Sequence, residues 1–205
     1  MRFSLPYARA DQVVGLLGGS FDPPHEGHAH ITREALKRFE LDQVWWLVSP
    51  GNPLKQHGPA PIDQRITAAQ SLIEHPKVKI SDFEYRLGSN FTAETVQHLK
   101  RLYPRVHFVW LMGADNLAQF HKWQNWQAIV ETVPIAVIAR AGQRVGARRS
   151  VMARMYRQFR LTGSKTRLLG KHSAPAWAYQ NVPLVNLSST AIRASGKWQT
   201  KAPSK

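Results

Sequence analysis

Val13-Val14-Gly15-Leu16-Leu17-Gly18-Gly19-Ser20-Phe21-Asp22-Pro23-Pro24-His25-Glu26-Gly27-His28 is the stretch on which the fold turns. Its first five residues are a short apolar run closed by two glycines, the pattern of a buried strand. The glycines let the backbone approach a ligand closely. The two prolines stiffen the turn and suit a helix start. Residues 25–39 then follow helical spacing, with Ile31, Ala35 and Phe39 on one stripe.

The same alternation continues outward. Val44 to Val48 reads as a second buried strand, stopped by Pro50-Gly51-Asn52-Pro53. Asp63 is placed to cap a helix running to about Glu74. Residues 77–81 alternate like a strand, and a helix over about 92–102 leads into a strand over 106–112. A short helix over 123–130, a buried strand over 135–139 and a basic helix over roughly 148–159 come next. An irregular segment to about 180, a short strand over 182–185 and a helix begun at Ser188 complete the series. Strands alternating with helices call for a Rossmann-like α/β fold: an open parallel sheet with helices on both faces, here with a short C-terminal helical segment. The expected organisation is an N-terminal tail over 1–12, a single domain over 13–195 and a C-terminal tail over 196–205 that frays. Ligands bind such sheets beyond the carboxyl ends of the strands.

At the first of those ends, His25 and His28 sit three apart in the opening helical turn and share a face. Gly27 leaves that face bare, and a helix N-terminus offers free N–H groups to an anion. The two imidazoles, the bare Gly27 and the helix N-terminus together make a phosphate cradle. A metal site competes, because His30 lies close by. However, the spacing is not the i, i+4 of a zinc-protease helix and no acidic partner set accompanies it, so no resident metal is expected. Further on, Ser188 or Ser189 can cap a helix, Thr190 adds a hydroxyl, and Arg193 faces any polyphosphate docked there. Asp115 follows a strand at the ligand edge and suits ribose hydroxyls. Lys55, on the Pro/Gly loop after the second strand, and more weakly Arg140, would reach a phosphate.

Gly18 to His28 resembles the signature of the nucleotidyltransferases that carry His-x-Gly-His, and most closely that of the bacterial nicotinate-nucleotide adenylyltransferases. Ser188-Ser189-Thr190-Ala191-Ile192-Arg193 is similar to that family's Ser-Ser-Thr-x-Ile-Arg. Between them, in order, lie Pro50-Gly51-Asn52-Pro53-Leu54-Lys55, Asn90-Phe91-Thr92 with Glu94-Thr95, Gly113-Ala114-Asp115, and Lys122-Trp123. The resemblance spans about residues 13–195. It implies transfer of the AMP part of ATP to nicotinate mononucleotide, with His25 and His28 as the catalytic pair and no covalent intermediate. It further implies that Gly18, Gly19, Ser20, Phe21, Asp115, Ser188, Ser189, Thr190 and Arg193 line the ATP side. Asp22, Lys55, Thr92 and Trp123 line the mononucleotide side, with Trp123 stacked on the pyridine ring. Magnesium would arrive with ATP. One departure stands out. Only a polar, basic dozen residues follow Arg193, where the family often continues with another helix and an apolar end.

Bulk composition narrows the field. With 205 residues the chain can bury a full core, and the absence of cysteine excludes disulfides, thiolate nucleophiles and Cys-zinc sites. No apolar run reaches the roughly 18 residues of a membrane helix, and residues 1–12 lack the apolar centre of a signal peptide. No membrane partner and a cytoplasmic location are the expectation. The net charge of +15 is uneven, because every Asp and Glu lies at or before Glu131 while half of the Lys and Arg lie beyond it. Such a stretch attracts polyanions, so nucleic-acid binding is the rival from another class. No helix-turn-helix, zinc or RNA-binding signature accompanies it, and nucleic acid is not the expected partner.

Overall fold

The computed structural model describes residues 5–51, 58–140, 149–183, 189–196 and 198. The strands are β1 (Val13–Gly19), β2 (Gln43–Val48), β3 (Val78–Ser81), β4 (His107–Gly113), β5 (Ile135–Arg140), β6 (Arg160–Leu161) and β7 (Trp177–Val182). They form one parallel sheet in the order β3-β2-β1-β4-β5-β7-β6. The helices are α1 (Glu26–Arg38), α2 (Ile62–Leu72), α3 (Phe83–Leu87), α4 (Thr92–Leu102), α5 (Ala114–Gln119), α6 (Trp126–Thr132), α7 (Val151–Met155) and α8 (Ser189–Ala194). This is the Rossmann-like arrangement that the alternation demands. No helix among the described residues is long and apolar enough to cross a membrane.

The central strands are apolar throughout because both faces of the sheet are covered. Adjacent Trp45 and Trp46 on β2 show this directly. Both are fully buried, yet successive strand side chains point to opposite faces, so Trp45 belongs to one core layer and Trp46 to the other. The Trp45 layer also holds Leu16, Trp110, Val96 of α4 and Ile129 of α6. The Trp46 layer holds Leu17, Leu111, Ala29 and Ala35 of α1, and Ile66 of α2. Each fully buried Leu or Ile stabilises the fold by roughly 1.5–3 kcal/mol. A buried polar link sets the depth of α1: Thr32 Oγ1 donates to the His28 carbonyl (2.9 Å) and accepts from Trp46 Nε1 (2.7 Å).

Beyond β1 the chain builds outward to β2 and β3; beyond β4 it builds the other way, to β5. The crevice of such a sheet opens where the order reverses, at the carboxyl ends of β1 and β4. Those ends are Gly18-Gly19 and Gly113.

Several elements differ from the sequence expectation. The α2 helix begins at Ile62 with Pro61 as its N-cap, so Asp63 lies within the first turn and does not cap. The short α3 was not expected; it is closed by Gly88 in the left-handed region, at φ 67. The helix expected at 123–130 is α6, three residues later, because Asn125 takes φ 53, a conformation that asparagine tolerates better than most residues. The basic helix expected over 148–159 is broken. Ser150 Oγ caps α7 by accepting from Ala153 N (3.3 Å). At Tyr156 the carbonyl is shared between the Phe159 amide (3.0 Å) and the Trp177 indole N–H (2.8 Å), and a 3-10 turn follows. The segment expected to be irregular holds a 3-10 stretch over Gly163–Lys171 and all but two residues of β7. Of the strand expected at 182–185, Val182 ends β7 and the part beyond Pro183 lies outside the described residues.

Glu84 on α3 is 4% exposed and accepts from Thr95 Oγ1 (3.1 Å). Burial raises its carboxyl from 4.5 to about 7. Between those two values the folded chain holds a proton that the unfolded chain has released. Stability therefore falls as pH rises through this window, by about 3 kcal/mol at most. Glu84→Gln removes the penalty and keeps an amide beside Thr95. Urea unfolding at pH 5 and pH 8 should show the variant gaining on the parent only at the higher pH. A difference independent of pH would contradict the buried-carboxyl account.

Candidate active site

The turn after β1 is shaped by close contacts. At Gly18 the Trp110 indole fills the space that a Cβ would need, so only glycine fits there. Phe21 has φ 46, and its ring is buried, stacked on Trp46 (4.8 Å between centroids) and tilted against His28 (4.7 Å). Phe21 was expected to line the ATP side. Its side chain packs into the core.

His25 is the N-cap of α1 and not a residue of its first turn, as the spacing suggested. Its Nδ1 accepts from the Gly27 amide (3.1 Å), while the His25 amide donates to His28 Nδ1 (3.2 Å). The two side chains thus form a reciprocal capping box, with ring centroids 3.9 Å apart. A ring nitrogen that accepts an N–H carries no proton. Both imidazoles are therefore the neutral tautomer with the proton on Nε2. The two rings sit beside a helix N-terminus at the carboxyl end of β1. The third histidine, His30, is bonded through Nε2 to the Pro183 carbonyl (3.0 Å).

Asp22 is 7% exposed and acts as a hub. Its Oδ1 accepts from the Ala60 amide (3.3 Å) and from the Trp198 indole N–H (2.8 Å). Arg193 Nη1 lies 3.7 Å from Oδ2 and donates to the Asp22 carbonyl, and Arg193 Nη2 reaches Thr190 Oγ1 (3.3 Å). Ser189 Oγ donates to the Pro23 carbonyl (2.9 Å). The α8 helix is thereby docked on the turn that carries the histidines. Asp22 was expected on the mononucleotide side; here its carboxylate is bonded within the chain. Trp198, in the expected C-terminal tail, was missed as a partner of the site.

Asp115 is exposed in the first turn of α5, and its carboxylate folds back over Gly113, where a Cβ would collide with it. Thr92 opens α4, and Trp123 packs edge-on against Trp110 (6.3 Å) and Phe120 (5.2 Å). Trp110 thus bridges Gly18 and Trp123. Thr92 and Trp123 lie on the Trp45 side of the sheet, and His25, His28 and Phe21 on the Trp46 side, with the carboxyl ends of β1 and β4 between them. The acids near Thr92 are turned away: Glu94 accepts from Ser89 Oγ and Glu84 from Thr95.

Lys55 and Ser188 lie outside the described residues, as does the side chain of Arg140. Part of the basic excess beyond Glu131 is spent internally. Arg167 pairs with Glu40 (2.9 Å) and Lys171 donates to the Asp11 carbonyl (3.1 Å). Sequence reasoning also missed Arg65, 1% exposed beside the site. An arginine on a helix otherwise reads as a solvated side chain.

Comparison with known proteins adds three findings. A family profile described as cytidylyltransferase-like matches residues 16–195. The chain is 60% identical over 198 residues to a protein of Ruegeria pomeroyi named "Probable nicotinate-nucleotide adenylyltransferase", covering 97% of this chain and 93% of that one. It is 47% identical to a protein of Rhizobium johnstonii with the same name, covering 92% and 96%. In structure it is similar to Plasmodium falciparum nicotinic acid mononucleotide adenylyltransferase, solved in complex with NaAD. The TM-score is 0.66 at 17% identity, over 89% of this chain and 83% of that one.

Proposed function

We propose a residue-level mechanism from the premise that this chain belongs to the cytidylyltransferase-like family and, within it, to the nicotinate-nucleotide adenylyltransferases. Its reaction joins nicotinate mononucleotide to the AMP part of ATP, giving nicotinate adenine dinucleotide and pyrophosphate, a step of NAD biosynthesis. A phosphate oxygen of the mononucleotide attacks the α-phosphorus in line. The new P–O bond forms as the bond to the β-phosphate bridging oxygen breaks, and pyrophosphate leaves with the electron pair. ATP enters with magnesium held mostly by its own phosphates and water.

Nothing in this scheme requires an activated nucleophile, so catalysis is positioning plus charge stabilisation. The Nε2–H groups of His25 and His28 meet the α-phosphate oxygens and the leaving bridge. The bare backbone at Gly18, Gly19, Ser20 and Phe21 lets the phosphates come close. Arg193, with Ser188, Ser189 and Thr190, holds the β- and γ-phosphates, and Asp115 takes the ribose hydroxyls. Trp123 stacks on the pyridine ring, with Thr92 on the same layer and Lys55 on the mononucleotide phosphate. The observation that carries this reading is the pair of neutral imidazoles fixed by the capping box at the carboxyl end of β1. Incubation with ATP and nicotinate mononucleotide should give the dinucleotide and pyrophosphate in equal amounts. Pantetheine phosphate and flavin mononucleotide should give no product. Transfer to one of those in place of nicotinate mononucleotide would move the chain to another branch of the family.

Arg193 already rests on Asp22, which orients its guanidinium before ATP arrives. A charge-assisted bond contributes about 1.5–3 kcal/mol. Arg193→Ala should therefore raise the KM for ATP roughly tenfold to a hundredfold and that for the mononucleotide far less. Steady-state assays varying each substrate check this. A raised mononucleotide KM with that of ATP unchanged would reverse the assignment.

A further inference from the structure

Arg65 projects from α2 into the interior and is almost wholly buried, at 1% exposure. Among the described residues its hydrogen bonds run to main-chain carbonyls and to no carboxylate. Nη1 donates to Ser20 O (2.6 Å) and to Ser49 O (2.7 Å), and Nε donates to Ala60 O (2.7 Å). Ser20 is the first residue beyond β1 and Ser49 the first beyond β2. Ala60 stands just before the Pro61 cap of α2, and its amide is held by Asp22 Oδ1. One planar fork therefore ties three loop carbonyls at the ligand edge of the sheet. Lysine, a single point charge on a flexible stem, has no such fork. Burial works against the charge and lowers the guanidinium from its ordinary range, partly opposed by Asp22. A cation kept at that cost, reaching only backbone, is placed to hold geometry and not to meet a ligand.

The carbonyls it joins belong to the two substrates' sides of the crevice. Ser20 lies in the turn that presents the phosphate-binding backbone and leads into His25. Ser49 opens the Pro50-Gly51 turn that leads toward the mononucleotide loop. The direct backbone tie between them is Ser49 N to Gly19 O (3.0 Å), one residue short of Ser20. We propose that Arg65 is a positioning residue for the adenylyl transfer. It locks the turn after β1 to the turn after β2, so that the attacking phosphate and the α-phosphorus meet in line. This inference rests on the function given above.

Its signature is a fall in kcat with little change in binding, because a misplacement of about 1 Å between reacting groups costs on the order of a hundredfold in rate. Arg65→Lys keeps the charge and loses the fork. Arg65→Gln keeps an amide donor for one carbonyl only, and serves as a second variant. The expected result, in whichever variant folds by circular dichroism, is a kcat lower by roughly 10- to 100-fold. Both KM values should stay within about threefold of the parent. Amide hydrogen exchange, read on the free protein without substrate, should quicken at Gly19–Asp22 and at Ser49–Gly51 together and stay unchanged along β4. A folded variant with kcat within about threefold of the parent, or with unchanged exchange at both turns, overturns the proposal. So does the failure of both variants to fold, which would make the residue structural alone. A parent protein inactive on nicotinate mononucleotide would overturn the functional assignment, while the exchange experiment would still decide whether Arg65 ties the two turns.

Discussion

His28→Ala should cut turnover by roughly a hundredfold or more while the chain still folds, as is typical when one preorganised transition-state donor is removed. The size of the effect follows from how little else can replace the lost group. His28 sits at the third position of α1 with its Nδ1 engaged by the His25 amide, so its Nε2–H is fixed in direction before substrate arrives. Its ring is partly exposed and meets the core through tilted packings against Phe21 (4.7 Å) and Trp46 (6.0 Å). Truncation therefore opens little of the core. His25 is the more buried of the two. Each ring accepts one amide of the capping box, so either alanine variant should add a capping loss of about 1 kcal/mol in stability to its loss of activity. Steady-state turnover beside a thermal melt separates the two. A folded His28→Ala protein with near-normal turnover would contradict the role given to the imidazole.

The region around β1 was legible in the sequence because few conformations satisfy its residues. An apolar run, two glycines, two prolines and a helical stripe leave strand, turn and helix as the consistent reading, and the structure places β1 and α1 within a residue or two of it. What stayed hidden is long-range. The tie of Arg65 to Ser20 and Ser49 joins residues 45 and 16 apart, and the Asp22–Trp198 bond spans 176. Neither leaves a periodicity to read. Short elements hid for another reason. In α3 and α7 five residues are too few to show a stripe, and β7 mixes Trp177 and Tyr179 with Gln180 and Asn181. At Trp123 the expected helix start is wrong, because the left-handed Asn125 delays the helix to Trp126.

Selectivity for nicotinate over nicotinamide is the second large effect, and it turns on the same tryptophan. Nicotinate presents a carboxylate where nicotinamide presents an amide with its own N–H groups. A pocket with donors and no acceptor favours the carboxylate, because an ionised acceptor makes the stronger bond. The Trp123 amide is spent on the Phe120 carbonyl (3.0 Å). The following amides, of Gln124 and Asn125, are the donors left in that turn among the described residues. Between Asn116 and Val130 there is no acid, and Glu94 is held by Ser89. Sites that depend on such contacts discriminate by several orders of magnitude.

The most direct test of the central claim is a pair of steady-state assays on one preparation, with saturating ATP and either nicotinate or nicotinamide mononucleotide. The account predicts a kcat/KM at least about a hundredfold higher for nicotinate mononucleotide, equivalent to roughly 2.7 kcal/mol. Equal efficiencies on the two mononucleotides would contradict it.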